Sequence, residues 1–360
     1  MTVKVFRSTD FGAPTNTNAV GALIAILDAC LVTGYGSQTA TITRTDTTAT
    51  VTLPVAHTLK SDTFVRIAGA PQTDYNGDFV ITVTGANTFT YQVANSPASP
   101  ATGTITSKVA PADWTKPFSG TGLAAYKQGV GSNGMYLRVD NSFVVGSNNE
   151  PRVKAYASMF DINTGDGATP ETYIPVNYSA TPVQPWMVIA TEKAFYIVIH
   201  GGVGLNPFFF GDFPSKKSGD AFNTAIFGNS NNYNVSEFFT MTNTLTITSH
   251  TFLMRSHIQT GQPIAAGKCS ALGGTAMGNS VPQAYPSTID GALHLSPIMI
   301  TEPSGIRGTA PGLWCPLHYR PFVNGDIVIG TGEFTGKKFL AVNGGYSDNY
   351  QCLIEISNTW

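Results

Sequence analysis

Glycine-rich turns, Cys-His spacings and paired carboxylates are the patterns through which this chain could bind phosphate, hold a metal or hydrolyse a bond. Each is incomplete. A phosphate-binding loop needs Gly-x-x-x-x-Gly-Lys-Ser/Thr, so that backbone amides surround the phosphate and the hydroxyl holds magnesium. Gly267-Lys268-Cys269 lacks both the leading glycine and the hydroxyl. No Gly-x-Ser-x-Gly occurs, so the strained turn that exposes a hydrolase serine is missing. The run Gly330-Thr331-Gly332-Glu333-Phe334-Thr335-Gly336 approaches a dinucleotide fingerprint, but its last glycine is displaced and no helical pattern follows, which reads as a turn.

Cys315 and His318 stand at Cys-x-x-His spacing without the second pair of ligands that zinc requires. The remaining histidines, His57, His200, His250, His257 and His294, are scattered singly and read as buried, hydrogen-bonded side chains. Paired carboxylates for glycoside hydrolysis can come from distant strands. Asp161, Asp166, Glu171, Asp212 and Asp220 are the candidates, and most are flanked by Gly or Asn, the context in which Asp closes a turn on its own backbone. The sequence therefore predicts no catalytic residue, no cofactor and no metal, and a chain that is not an enzyme.

The elements that would position such residues are mostly strands. Asn16-Thr17-Asn18 precedes the apolar run Ala19–Val32, and Gly34 follows, which predicts a capped helix that is apolar on nearly every face. Such a helix must be enclosed, by the fold or by a neighbouring subunit. From Ser37 to Lys108, period-two runs such as Ala49–Leu53, Phe64–Ile67, Phe79–Val83 and Phe89–Val93 predict strands, and Asn76-Gly77 and Gly85-Ala86-Asn87 suit hairpin turns. Beyond Val109, strand-like pieces continue, with a buried hairpin around Thr191-Glu192-Lys193 and long loops over 201–206, 228–234 and 261–289. The fold class is mainly β: a sandwich-like body (109–360), one N-terminal strand and helix (1–36), and an inserted small all-β module (37–108).

Composition excludes several functions. Twenty Lys and Arg against 22 Asp and Glu leave a net charge of −2 with no basic block, which argues against nucleic acid as a partner. Charged residues make up 12%, about half the usual 25%. No apolar run is long enough to cross a bilayer. The opening Met1–Arg7 lacks the apolar core and small-residue cleavage site of a secretory signal, which predicts a cytoplasmic site of synthesis. Cys30, Cys269, Cys315 and Cys352 are widely spaced, as reduced thiols would be.

Two aromatic segments have no reaction to serve. Phe208, Phe209, Phe210 and Phe213 fall within six residues, and fit either a strand buried on both faces or an aromatic subunit contact. Pro311, Pro316 and Pro321 around Trp314 preclude a regular helix or central strand and predict a rigid packed loop, with a binding surface as the alternative.

Taken together, Val3-Lys4-Val5-Phe6, Gly12-Ala13-Pro14, the Gly21–Gly36 segment, Phe208–Asp212, Pro311–Pro321 and Gly332–Phe339 resemble a group of tailed-bacteriophage virion structural proteins. The 69–93 region is similar to small β modules that recur as insertions in phage proteins. The resemblance implies a virion component made in the host cytoplasm, with tail, neck or baseplate the favoured place and head decoration or a head fibre the alternative. Its partners would be other virion proteins and copies of itself, and module 37–108 could reach a host receptor or glycan. A hydrolase of cell-surface polymers is the third reading. Leu23, Ile24, Leu27, Phe208, Phe209, Phe210, Trp314 and Trp360 are the candidate subunit interface, sheltered by neighbouring chains.

Overall fold

A strand in which every residue is apolar satisfies both faces only when a layer packs on each side. The stretches Ala194–Ile199 and Pro207–Phe210, within the strands Ala194–Gly201 and Gly204–Asp212, impose that demand. The computed structural model describes residues 2–145, 148–174, 176, 183–201, 204–230, 236–241, 250–271, 276–278, 283–319, 321–344, 350–357 and 360. In it the two strands sit at the centre of a seven-stranded antiparallel sheet, ordered Lys4–Arg7, Trp186–Ala190, Ala194–Gly201, Gly204–Asp212, Thr224–Phe227, Thr251–Leu253, Ile264–Ala265. The segment expected as a loop over 201–206 is instead the close of this hairpin, with Gly201 opposite Gly204.

A five-stranded sheet covers one face, built from Thr115–Gly120, Leu123–Lys127, Tyr136–Asp140, Arg152–Tyr156 and Thr172–Tyr173. Tyr126, Leu137 and Val153 from it meet Phe195, Ile197, Phe208 and Phe210. A six-stranded sheet covers the other, ordered Gly267–Cys269, Leu295–Glu302, Gly305–Pro316, Tyr350–Glu355, Lys338–Gly344, Ile327–Ile329. Its Ile298, Ile300, Val342 and Ile354 meet Tyr196, Val198, Phe209 and Phe227. The body is thus three stacked sheets, one more layer than the sandwich predicted from sequence, because the central strands are apolar on both faces.

The N-terminal helix is shorter than predicted. It runs over Ala22–Leu27 and continues as a π-helical segment, Asp28–Thr33, ending at Gly34 with φ 71°. Its cap is not local: Gly21 takes the cap position with φ 80°, and the Leu23 amide donates to Asn141 Oδ1 at 3.0 Å. Tyr126 Oη donates to Ile24 O at 3.1 Å and to Asp28 Oδ1 at 2.8 Å, where Lys116 also pairs at 2.5 Å. The helix is therefore seated in the chain's own core, with Leu23, Ile26 and Leu27 fully buried. The prolines also failed to exclude a central strand. Gly305–Pro316 lies between two neighbours, and its register on Leu295–Glu302 slips between Thr309 and Trp314, so the bulge absorbs Pro311.

The inserted strands form two four-stranded sheets, one of Tyr35–Thr39, Thr106–Val109, Phe64–Ala68 and Gly77–Val80, the other of Thr41–Thr45, Thr48–Thr52, Thr88–Gln92 and Thr82–Val83. Between them lies a separate core of Ile42, Val51, Val65, Ile67, Tyr75, Phe89 and Tyr91. Entry and exit strands pair, with Thr39 opposite Thr106, and this stem carries the module. Lys4 Nζ bonds to Asp78 at 2.8 Å and Arg66 bridges Asp78 and Asp113, which fixes the module against the body. The Gly85–Asn87 turn joins a hairpin, whereas Asn76-Gly77 begins a strand after the helical turn Thr73–Tyr75.

Because Phe209 plugs the layer between the central and six-stranded sheets, Phe209→Ala is expected to cost about 3–5 kcal/mol in urea unfolding of the isolated chain. A loss under about 1 kcal/mol would mean that this face is not closed by the chain itself.

Candidate functional site: a cleft between three sheet edges

The expected interface residues are mostly inside the protein. Leu23, Leu27, Phe208, Phe209 and Phe210 are fully buried, and Ile24 packs against the same core from a half-buried position. Alternation places Phe208 and Phe210 on one face of the central sheet and Phe209 on the other. Trp314 is half-buried, with its ring edge-on to Phe334 at 5.1 Å. Trp360 packs edge-on to Tyr196 at 5.3 Å and donates from Nε1 to Glu355 O at 2.9 Å. Leu23, Leu27 and Phe208–Phe210 are thus covered by their own chain, whereas Ile24, Trp314 and Trp360 keep part of their surface in solvent.

The exposed apolar residues lie elsewhere. A cleft of about 880 Å³ runs between the body and the module, and three terminal strands border it: Lys4–Arg7, Gly77–Val80 and Ile327–Ile329. Ser8 donates to Trp186 O, while Arg7 exchanges bonds with Asp10, so the outward backbone positions of the first strand are Arg7 and, two residues back, Val5. Gly330 donates to Lys337 O, and the same alternation turns Ile327 and Ile329 outward. Ile81 donates to Thr63 O, which turns Val80 outward. The side chains of Val80, Ile327 and Ile329 are 47%, 46% and 56% exposed. Arg7, Lys60 and Lys338 stand on the cleft wall, the last paired with Asp62.

Four of the five carboxylates proposed from sequence are committed to different partners. Asp161 accepts from the Asn163 and Thr164 amides and from Thr164 Oγ1, and the Thr164 hydroxyl first among these holds its carboxyl below the usual range. Glu171 lies 3.8 Å from Arg152, and Asp166 stands in a short strand whose backbone pairs opposite Ser158. Asp220 receives Arg307 at 2.7 Å, and Arg307 also pairs with Glu302 at 2.9 Å, all three buried. Asp212 accepts from Gln128, Thr224 and the Asn133 amide. Among the histidines, His318 uses both ring nitrogens, Nδ1 toward Ala284 O at 2.7 Å and Nε2 from the His294 amide at 2.9 Å, so neither faces Cys315 as a ligand. The side chain of His200 lies outside the described residues. Among the described residues no group of three or more metal-ligating side chains converges, and no helix is long and apolar enough to cross a membrane.

Sequence reading missed the cleft because an edge is a property of strand order. Ile327 and Ile329 were visible as alternate residues of a strand, but nothing local marks that strand as terminal. It also missed Lys268, a fully buried lysine whose ammonium lies 4.9 Å from the Phe227 ring and 5.3 Å from Phe238, with Glu237 O at 3.3 Å. Burial lowers its pKa from 10.5 to about 7. Between those values the unfolded chain binds the extra proton, so stability rises with pH across that window and the penalty is complete below it.

Lys268→Met is therefore expected to flatten the stability-pH slope between about 7 and 10.5 and to stabilise the protein at pH 6 by about 1–4 kcal/mol. Urea denaturation at several pH values tests this, and an unchanged slope contradicts it. Arg307→Met should instead destabilise by about 3–5 kcal/mol, because Asp220 and Glu302 lose their buried counter-charge; a change near zero in the same assay would contradict that network.

No family model and no curated protein matches the chain. Among solved structures, the phage phi92 endosialidase is similar at 11% identity with a TM-score of 0.18, over 90% of this chain and 52% of that one. The chain spans about half the length of that protein, and a likeness of this degree carries no argument about fold or activity.

Proposed function

We propose that this chain is a structural component of a tailed-bacteriophage particle, associated with the tail, and that it acts by assembly rather than by catalysis. The observation that carries the reading is the cleft where three sheets present terminal strands beside exposed Val80, Ile327 and Ile329, with only Arg7 of the first strand capped, by Asp10. Free edges are templates for a further strand, and proteins that remain alone ordinarily cover or charge them. Here the exposed edges coincide with apolar side chains, so a strand from a copy of this chain or another virion protein would gain both backbone hydrogen bonds and burial. The resemblance of the sequence blocks to phage virion proteins supports the same reading. The module on its two-strand stem would be displayed outward from the body.

Particles made with Ile327→Lys/Ile329→Lys in place of the native chain are the test. The variant should fold as the native chain does, since both residues are about half exposed and lie outside the buried core, yet incorporate poorly or leave defective particles. Incorporation equal to that of the native chain would place assembly on another surface. Absence of the native chain from purified particles would end the virion reading.

A further inference from the structure

The far end of the central sheet gathers several turns around a second pocket. Lys193 lies in the tight turn before Ala194–Gly201, where Thr191 Oγ1 accepts the Lys193 and Ala194 amides at 3.2 Å each. Asp212 ends the neighbouring strand, Asn223 precedes the next, and Asn133 comes from the turn before Tyr136–Asp140. Together with Pro214, Pro311 and Trp360 they line a pocket of about 280 Å³. The pocket is rigid, because Asp212 binds three of these turns at once through Gln128 at 2.8 Å, Thr224 at 2.6 Å and the Asn133 amide at 2.8 Å. Burial raises the Asp212 carboxyl pKa, and the hydrogen bonds it accepts only partly offset that.

The available groups are of both kinds. Among the described residues the Lys193 ammonium makes no ion pair and no hydrogen bond, and acts on the Asp212 carboxylate through its charge alone. Both protons of Asn133 Nδ2 are spent on Asn223 Oδ1 at 2.7 Å and Thr224 Oγ1 at 3.1 Å, leaving its carbonyl oxygen as an acceptor. Asn223 Nδ2 keeps one donor after bonding Phe213 O. An anion would meet the Asp212 carboxylate, and an amine would meet Lys193. A neutral ligand whose hydroxyls donate and accept satisfies all four, while its carbon skeleton rests on the hydrocarbon of Pro214, Pro311 and Trp360. The volume falls just below the range of drug-sized sites, about 300–1,000 Å³, and so fits one small ring.

We propose that this pocket, formed by Lys193, Asp212, Asn133, Asn223 and Trp360, binds a polyhydroxylated ligand the size of a single sugar ring. The site lies on the body, apart from the cleft and the module, and does not depend on the virion reading.

Saturation-transfer NMR of the full chain with D-glucose, D-galactose and N-acetyl-D-glucosamine, each at about 10 mM, is the test, since a single ring is expected to bind in the millimolar range. At least one sugar should receive transfer, and cyclohexanol, with one hydroxyl on the same ring size, should not displace it. Lys193→Met should weaken binding about tenfold, equivalent to about 1.4 kcal/mol, and Trp360→Phe should lower the transfer to the ring protons, with unchanged melting temperatures confirming that both variants fold. Transfer to none of the sugars, transfer that cyclohexanol abolishes, or binding equal in the native chain and Lys193→Met would overturn the proposal.

Discussion

The structure depends on a pair of strands that no single layer can satisfy. Phe195, Ile197, Phe208 and Phe210 face one way while Tyr196, Val198 and Phe209 face the other, and both sets are buried. An apolar side chain of this size gains about 1.5–3 kcal/mol on full burial, so leaving either face to solvent would forfeit a large part of the stability available to a domain. The five-stranded sheet with the N-terminal helix closes one side and the six-stranded sheet closes the other. The C-terminal Trp360 joins the second core through Tyr196.

Stacking sheets in this way has a structural consequence at their edges. A closed barrel would have none, but three open sheets and a separate module leave terminal strands, and three of these meet at one cleft. These edges keep apolar side chains in solvent, whereas Leu23, Leu27 and Phe208–Phe210 are already spent inside the chain. The opposite end of the central sheet has a different character: its turns are bound together through Asp212, and polar side chains converge there on a small rigid pocket.

Much of the fold is legible in the sequence where a local rule decides it. The both-face apolar character of Ala194–Ile199 announces a central strand, Gly34 stops the helix, and Gly85–Asn87 turns a hairpin. Rules that depend on distant partners were not legible. The helix cap came from Asn141 instead of Asn16–Asn18, and a bulge let Pro311 sit in a central strand. The same limit explains the candidate sites. Apolar content identified Leu23, Leu27 and Phe208–Phe210 as residues needing cover, but which chain supplies it is decided by tertiary packing. The cleft and the Asp212 pocket are assembled from residues as far apart as Val5 and Ile329, or Asn133 and Trp360, and no spacing joins them.

The single chain already covers its own aromatic strands on both faces. Hydrogen exchange on the dilute isolated chain measures this directly. The amides of Phe195–Ile199 and Phe208–Phe210 are predicted to exchange most slowly, at the rate set by global unfolding, whereas Val5, Ile327 and Ile329 exchange fast. Rapid exchange in the central strands that slows only on incorporation into a larger particle would contradict the account.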